Sequence, residues 1–236
     1  MTEAVILAGG LGSRLKSVVS DVPKPMALVA GKPFLEHQMH YWADQGVNHF
    51  ILSVGYKWEI IRDYFGDTFK SIPVSYAVEK ELAGTGGGLL NASTKLAQNA
   101  PFLILNGDTY CNVNLEAIRR HHEQYKPGIT MVVKAVEAAD RYGLVEVDDQ
   151  QRLLKFCSRE ESGLKGGLIN TGIYLSNPDI PGQCRLKAKG KTSLEADIFP
   201  VLVETRRISA YCTDADFIDI GIPGDYARCA VVIDAE

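Results

Sequence analysis

Five consecutive apolar positions run from Ala4 to Ala8, and comparable stretches return at His49–Val54, Val74–Val78 and Phe102-Leu103-Ile104-Leu105-Asn106. Short apolar runs without a polar face suit parallel strands buried on both sides. Between them the spacing changes to that of helices. Phe34, Leu35, Met39 and Trp42 face one way over 34–45, with Gly46 suited to the C-terminal cap, and Trp58, Ile61 and Phe65 do so over 58–65. Residues 89–97 are a third helix candidate, while Gly84-Thr85-Gly86-Gly87-Gly88 is expected to be irregular because of its glycine content. Strand and helix therefore alternate, which predicts an α/β sheet of Rossmann type with ligands at the carboxyl ends of its strands.

From Ile129 the pattern shifts. Residues 129–136, 144–147, 153–156 and 168–175 read as strands with little helix between them, and antiparallel pairing is expected to extend the sheet and wall a pocket. Residues 194–203 read as helix, 208–212 and 217–220 as strands, and Pro223 as the first residue of a last helix. No linker or repeat interrupts the 236 residues, so a single domain is expected.

Charge and composition narrow the function classes. The formal net charge of -4, with no basic run, gives no electrostatic case for nucleic acid. No apolar stretch approaches the roughly 20 residues that span a bilayer, and the N-terminus lacks the basic region of a secretory signal. No membrane association and a cytoplasmic location are expected. Five scattered cysteines, without metal-finger spacing, read as free thiols of a reducing compartment.

The first strand opens into Gly9-Gly10-Leu11-Gly12-Ser13-Arg14, with Asp21-Val22-Pro23-Lys24-Pro25 beyond it. Glycines that let backbone N–H groups approach an anion, followed by the cations Arg14 and Lys24, make a phosphate-holding loop; three glycines alone would make only a tight turn. A dinucleotide fingerprint is excluded, because Leu15 stands where its third glycine belongs and Ser53-Val54-Gly55 where a ribose-binding carboxylate is needed. Gly190-Lys191-Thr192 imitates the end of a P-loop, but Arg185 replaces the required glycine and no strand precedes it. Asp108 and Asp219, each at a strand end, are the carboxylates best placed to share a divalent ion; singly, each would serve as a cap or turn former.

Taken in order, Gly9-Gly10-Leu11-Gly12-Ser13-Arg14, Pro23-Lys24-Pro25, Asn106-Gly107-Asp108 and Ile218-Asp219-Ile220-Gly221 resemble the motifs of the sugar-1-phosphate nucleotidylyltransferases across nearly the whole chain. Residues 17–26 and Gly31-Lys32-Pro33-Phe34-Leu35-Glu36 are similar to the D-glycero-α-D-manno-heptose 1-phosphate guanylyltransferases within that family. The resemblance implies a Rossmann-like nucleotidyltransferase fold, a central mixed, mostly parallel sheet flanked by helices. It divides the domain into a nucleotide-binding half, about 1–125, and a sugar-binding half, about 126–236.

By the same resemblance Arg14, Lys24 and Asp108 are catalytic, and Asp108 and Asp219 hold Mg²⁺. Nucleotide contacts fall on Leu7, Ala8, Gly9, Gly10, Gly12, Ser13, Arg14, Lys24, Glu79, Gly84 and Thr85. Sugar-phosphate contacts fall on Asn106, Gly143, Arg159, Asn170, Thr171 and Glu195. Glu79 points to GTP over UTP, because a carboxylate accepts both the N1–H and the N2 amino group of guanine; a mere cap on the glycine segment is the alternative role. Many relatives carry Glu-Lys where this chain has Ser158-Arg159; Arg159 can keep the phosphate contact as a bidentate fork, whereas Ser158 does not replace the carboxylate unless Glu160 or Glu161 shifts in. The expected partners are GTP and a sugar 1-phosphate. A mannose 1-phosphate guanylyltransferase, a uridylyltransferase of a cell-wall sugar, and a non-catalytic nucleotide-sugar sensor remain alternatives, and a homo-oligomer is compatible with the chain. The five histidines, His37, His40, His49, His121 and His122, read as helix-face or surface residues.

Overall fold

The computed structural model describes residues 2–10, 12, 15, 19, 21–97, 99–137, 142, 144–157, 166–185 and 190–233. Strand β1 (Thr2–Leu7) leads through a 3₁₀ turn at Lys24–Met26 to the hairpin β2 (Leu28–Val29) and β3 (Lys32–Pro33), then α1 (Phe34–Asp44), β4 (Val47–Val54), α2 (Trp58–Phe65), β5 (Thr68–Phe69) and β6 (Ile72–Val78). Next come α3 (Gly84–Ala92), β7 (Phe102–Asn106), β8 (Thr109–Cys111), α4 (Leu115–Tyr125), β9 (Ile129–Val136), β10 (Leu144–Val147), β11 (Leu153–Cys157) and β12 (Gly167–Ser176). The described chain closes with α5 (Ile180–Arg185), a π-helical turn at Leu194–Ile198, α6 (Phe199–Glu204), β13 (Ile208–Thr213), β14 (Phe217–Asp219) and α7 (Pro223–Ile233).

Among the described residues ten strands form one sheet, whose main path runs β11-β10-β12-β7-β1-β4-β6-β5, with β9 paired to β12 and β13. The central β7-β1-β4-β6 pairs are parallel, as expected of strands apolar on both faces. Alternate residues feed two cores: Ala4, Ile6, Phe50, Leu52, Leu103 and Leu105 pack with α1, α2 and α4, whereas Val5, Ile51, Phe102 and Ile104 pack with α3 and α6. Each of the Val, Leu, Ile and Phe side chains, fully buried, contributes about 1.5–3 kcal/mol of transfer free energy. A third cluster joins Leu15, Phe34, Tyr110, Ile218 and Ile220 to Cys229 and Ile233 of α7.

In the second half β12 pairs antiparallel with β7, β9 and β10, as expected, whereas β13 pairs parallel with β9. The register of β12 on β9 shifts between Asn170 and Tyr174, where Gly172 takes φ +78° and lies against the side chain of Asn106.

Three expectations are corrected. Residues 84–88 are not irregular: the glycines form the first turns of α3, which ends at Ala92, with a 3₁₀ turn at Ser93–Lys95 after it. The helix expected over 194–203 is a π-helical turn followed by the short α6. Of the histidines read as helix-face or surface residues, His122 lies on α4 but on its buried side, in contact with Thr130 and Asn177, and His49 is half-buried on β4, the strand expected there. Four of the five cysteines are buried, Cys212 is exposed, and all are free thiols. No described helix is long and apolar enough to cross a membrane.

Candidate active site

The carboxyl ends of β1, β4, β6 and β7 open onto a cleft of about 420 Å³, lined by Leu7, Ala8, Gly9, Gly10, Gly12, Lys24, Pro25, Ser53, Glu79, Leu82, Gly84, Thr85, Gly88, Asn106, Gly107, Asp108, Lys191 and Gly221. Ala8 N–H donates to Ser53 O and Gly107 N–H to Leu7 O, so the ladders on both sides of β1 continue to the rim. Gly12 has φ +58°, and a Cβ there would stand 2.9 Å from the Cβ of Lys24. That close approach brings the first loop over the lysine, a path closed to any residue with a side chain.

Pro23 and Pro25 bracket Lys24 in the 3₁₀ turn, which holds this lysine at 9 % exposure. Its Nζ lies 2.6 Å from Asp108 Oδ2 and 3.6 Å from Asp219 Oδ1. The two carboxylates meet because β8 pairs antiparallel with β14, Thr109 opposite Asp219, and because Ile220 N–H donates to Asp108 O. Asp219 Oδ1 also accepts the Gly221 N–H at 2.6 Å. An ammonium shared by two carboxylates marks a place where positive charge is stabilised. Among the described residues no group of three or more His, Cys, Asp or Glu could by itself hold a metal ion. The donor set suits Mg²⁺, which is held by one or two carboxylates together with substrate phosphates.

At the other end of the cleft Glu79 is held in a socket. Its Oε1 accepts from Ser53 Oγ at 3.1 Å and its Oε2 from Ala83 N–H at 2.9 Å. A Cβ on Gly88 would lie 2.7 Å from Oε1, and one on Gly9 3.0 Å. Glu79 therefore both caps the start of α3 and borders the cleft. The helix N-terminus is closed by Thr192, whose carbonyl accepts from Gly86 N–H at 2.8 Å and Gly87 N–H at 3.3 Å. The glycines of α3 admit this contact: φ at Gly84 is +79°, and a Cβ on Gly86 would stand 3.0 Å from Thr192 O.

The expected sugar-side residues divide. Asn106 lines the cleft, and its Oδ1 is buried without a hydrogen-bond partner among the described residues. Asn170 is turned to its own strand, accepting from Gly172 N–H and donating to Tyr174 Oη. Thr171 is fully buried and donates its hydroxyl to Val132 O. Glu195 accepts from Thr85 Oγ1 at 3.2 Å and Ser193 Oγ at 3.0 Å, which ties the π-helical turn to α3. Burial, and then the charges of Glu195 and Asp108, push the Tyr174 hydroxyl well above its ordinary range, so it stays protonated between them. Ser13, Arg14, Gly143 and Arg159 lie outside the described residues.

Sequence reasoning missed Ser53, Leu82, Gly88 and Lys191 as lining residues. In the sequence Ser53 and Lys191 stand out only as departures from the dinucleotide and P-loop motifs. Lys191 is exposed, lines the cleft and has no ion pair among the described residues.

Comparison with known proteins agrees with this geometry. The nucleotidyl transferase family model matches residues 3–235. The D-glycero-alpha-D-manno-heptose 1-phosphate guanylyltransferase of Campylobacter jejuni is 40% identical over 224 residues, covering 95% of this chain and 96% of its own, and that of Aneurinibacillus thermoaerophilus is 39% identical over 226 residues, covering 96% of both. The crystal structure of HddC from Yersinia pseudotuberculosis, complexed with GMP-PN, superposes with a TM-score of 0.84 at 36% identity, covering 98% of this chain and 99% of that one. With a sheet of this order, a cleft at its carboxyl edge and a family match over almost every residue, the chain belongs to the nucleotidyl transferase family.

Proposed function

We propose that this protein transfers GMP from GTP to D-glycero-α-D-manno-heptose 1-phosphate, forming GDP-heptose and pyrophosphate. The observation that carries the reading is Lys24, held between Asp108 and Asp219 at the head of a glycine-lined cleft. Heptose rather than another sugar is favoured by the two relatives, which match nearly the full chain and are guanylyltransferases of that sugar phosphate.

A phosphate oxygen of the sugar 1-phosphate attacks the α-phosphorus of GTP; that P–O bond forms as the bond to the departing pyrophosphate breaks. With a second pKa near roughly 6, a phosphate monoester is mostly dianionic at pH 7, so no proton has to be removed. Accordingly, none of the five histidines lines the cleft. Lys24 and the backbone N–H groups of Gly9, Gly10 and Gly12 face charge that builds on the leaving group. Mg²⁺ held by Asp108 and Asp219 would supply further neutralisation of the triphosphate. Glu79 keeps lone pairs free beyond those used by Ser53 and Ala83, and these accept the guanine edge. Asn106 Oδ1 offers an unused acceptor to a sugar hydroxyl, and Lys191 a cation to the sugar phosphate. In this reading residues about 1–125 serve the nucleotide and about 126–236 the sugar.

The test is incubation with Mg²⁺, each nucleoside triphosphate in turn and a panel of sugar 1-phosphates, with pyrophosphate as readout. Release is expected with GTP and the heptose 1-phosphate. Release with UTP and not GTP would refute the role of Glu79, and silence with every pair would favour a sensor.

A further inference from the structure

The buried face of α1 carries Phe34, Leu35, Gln38, Met39 and Trp42, and Gln38 is the one polar side chain in it, at 1% exposure. A glutamine costs free energy in such a place unless its amide is used. Its two protons are used, Nε2 donating to Asn106 O at 2.8 Å and to Thr109 O at 2.9 Å, while Oε1 is buried without a hydrogen-bond partner among the described residues. Those carbonyls flank Gly107-Asp108, the turn between β7 and β8 that carries the carboxylate nearest Lys24. The same turn is held by Gly107 N–H on Leu7 O and by Ile220 N–H on Asp108 O. Gln38 does not line the cleft.

We infer that Gln38 is a positioning residue for nucleotidyl transfer: its amide bridges the two carbonyls around Asp108 and so fixes that carboxylate against Lys24 and the β14 end bearing Asp219. Besides these bonds and the Lys24 contact of Asp108, the turn is packed closely on the end of β1: a Cβ on Gly107 would stand 2.8 Å from Leu7 O and 3.3 Å from the Ala8 Cβ, so no side chain at 107 shares in fixing it. Without the amide, Asn106 O and Thr109 O lose this shared donor and the turn relaxes toward other donors. A displacement of about 1 Å at a reacting group can cost on the order of 10²-fold in rate.

The inference rests on the proposed transfer reaction for its kinetic consequence but not for its structural one, and the test has an arm for each. In Gln38→Met, which conserves volume in the apolar stripe, amide hydrogen exchange is expected to rise roughly tenfold or more at Gly107–Tyr110 and Ile220 while β1 and β4 stay protected. With GTP and the sugar phosphate, kcat is expected to fall roughly 10- to 100-fold, with the dissociation constant for GTP changed less than about twofold. Met39→Ala, on the same face, is the control: it should lower Tm at least as much yet leave kcat nearly unchanged. Gln38→His, whose Nε2 lies the same number of bonds from Cα, keeps one donor and should recover part of the rate.

Unchanged exchange at 107–110 in Gln38→Met overturns the assignment, as does a kcat loss no larger than that of Met39→Ala. If Gln38→Met does not fold, the same readings on Gln38→His decide, and wild-type exchange with wild-type kcat there overturns it. Exchange confined to the turn in a protein that shows no transferase activity would leave Gln38 in place and sink the reaction instead.

Discussion

At the scale of single residues, the cleft is organised by one cation and one carboxylate at opposite ends. Lys24 is nearly buried and satisfied by two acids, so its removal subtracts charge at the phosphates without opening the core. Lys24→Ala is expected to lower kcat/KM by about 10²- to 10³-fold with an unchanged fold, measured by pyrophosphate release and circular dichroism. For Glu79, one substitution separates the proposed guanine contact from the hydrogen bond with Ala83 N–H. Glu79→Gln keeps an acceptor for Ala83 N–H but loses a second acceptor for guanine, so kcat/KM for GTP should fall roughly 10- to 100-fold while that for UTP does not. An equal loss with both nucleotides would leave only the cap. The positions of these residues were legible in the chain: Lys24 stands between two prolines, and Asp108 and Glu79 stand just past strand ends. Lys191 was not, because its cleft position depends on Thr192 meeting α3, a contact between residues more than a hundred positions apart.

At the scale of elements, the apolar runs located β7 and α2 to the residue and β1, β4 and β6 to within two, since strands buried on both faces need little context. The ribbon of β8 and β14 escaped notice in its pairing, because three-residue strands carry no periodicity and only their mutual register joins Asp108 to Asp219. Helix α3 was misread for the opposite reason. Glycine has poor helix propensity, yet here its missing Cβ is what lets the helix dock, and tertiary contact overrides the local preference. Gly88→Ala is expected to destabilise the protein by about 1–3 kcal/mol and to weaken GTP turnover, since the added methyl would stand 2.7 Å from both Glu79 Oε1 and Ser53 Oγ. Gly224→Ala in α7 meets nothing within 4 Å and should be neutral or stabilise by up to about 1 kcal/mol. Denaturant titration of the pair distinguishes glycines kept for contact from those that are not.

At the scale of the whole molecule, the reaction and the acid stability draw on different parts of the sheet. The cleft sits at the carboxyl edge of the parallel strands, whereas α4 packs against β9 and β13 through a polar seam: His121 Nε2 and Ser209 Oγ at 3.2 Å, His122 Nδ1 and Thr130 Oγ1 at 2.9 Å, and His122 Nε2 and Asn177 Oδ1 at 3.0 Å. Burial, and secondarily the neighbouring His122, brings His121 from 6.5 down to about 4; burial lowers His122 as well. The folded protein thus holds these rings neutral while the unfolded chain protonates them at an ordinary value, so the unfolded state binds more protons between pH 6.5 and about 4. The contribution of these two rings to stability is therefore full above pH 6.5 and declines as pH falls through that window. Asp148, held below its ordinary value first by the Arg152 N–H and then by the Arg152 guanidinium, adds its loss only below that range. His121→Phe removes one of the two titrating rings, keeps an aromatic face toward Tyr125 and Tyr211, and leaves Ser209 Oγ its contact with Thr130 Oγ1. Unfolding free energies from urea titrations at pH 7.5, 6, 5 and 4.5 should decline less steeply in this variant than in the wild type, and parallel curves would show that the acid limb is set elsewhere.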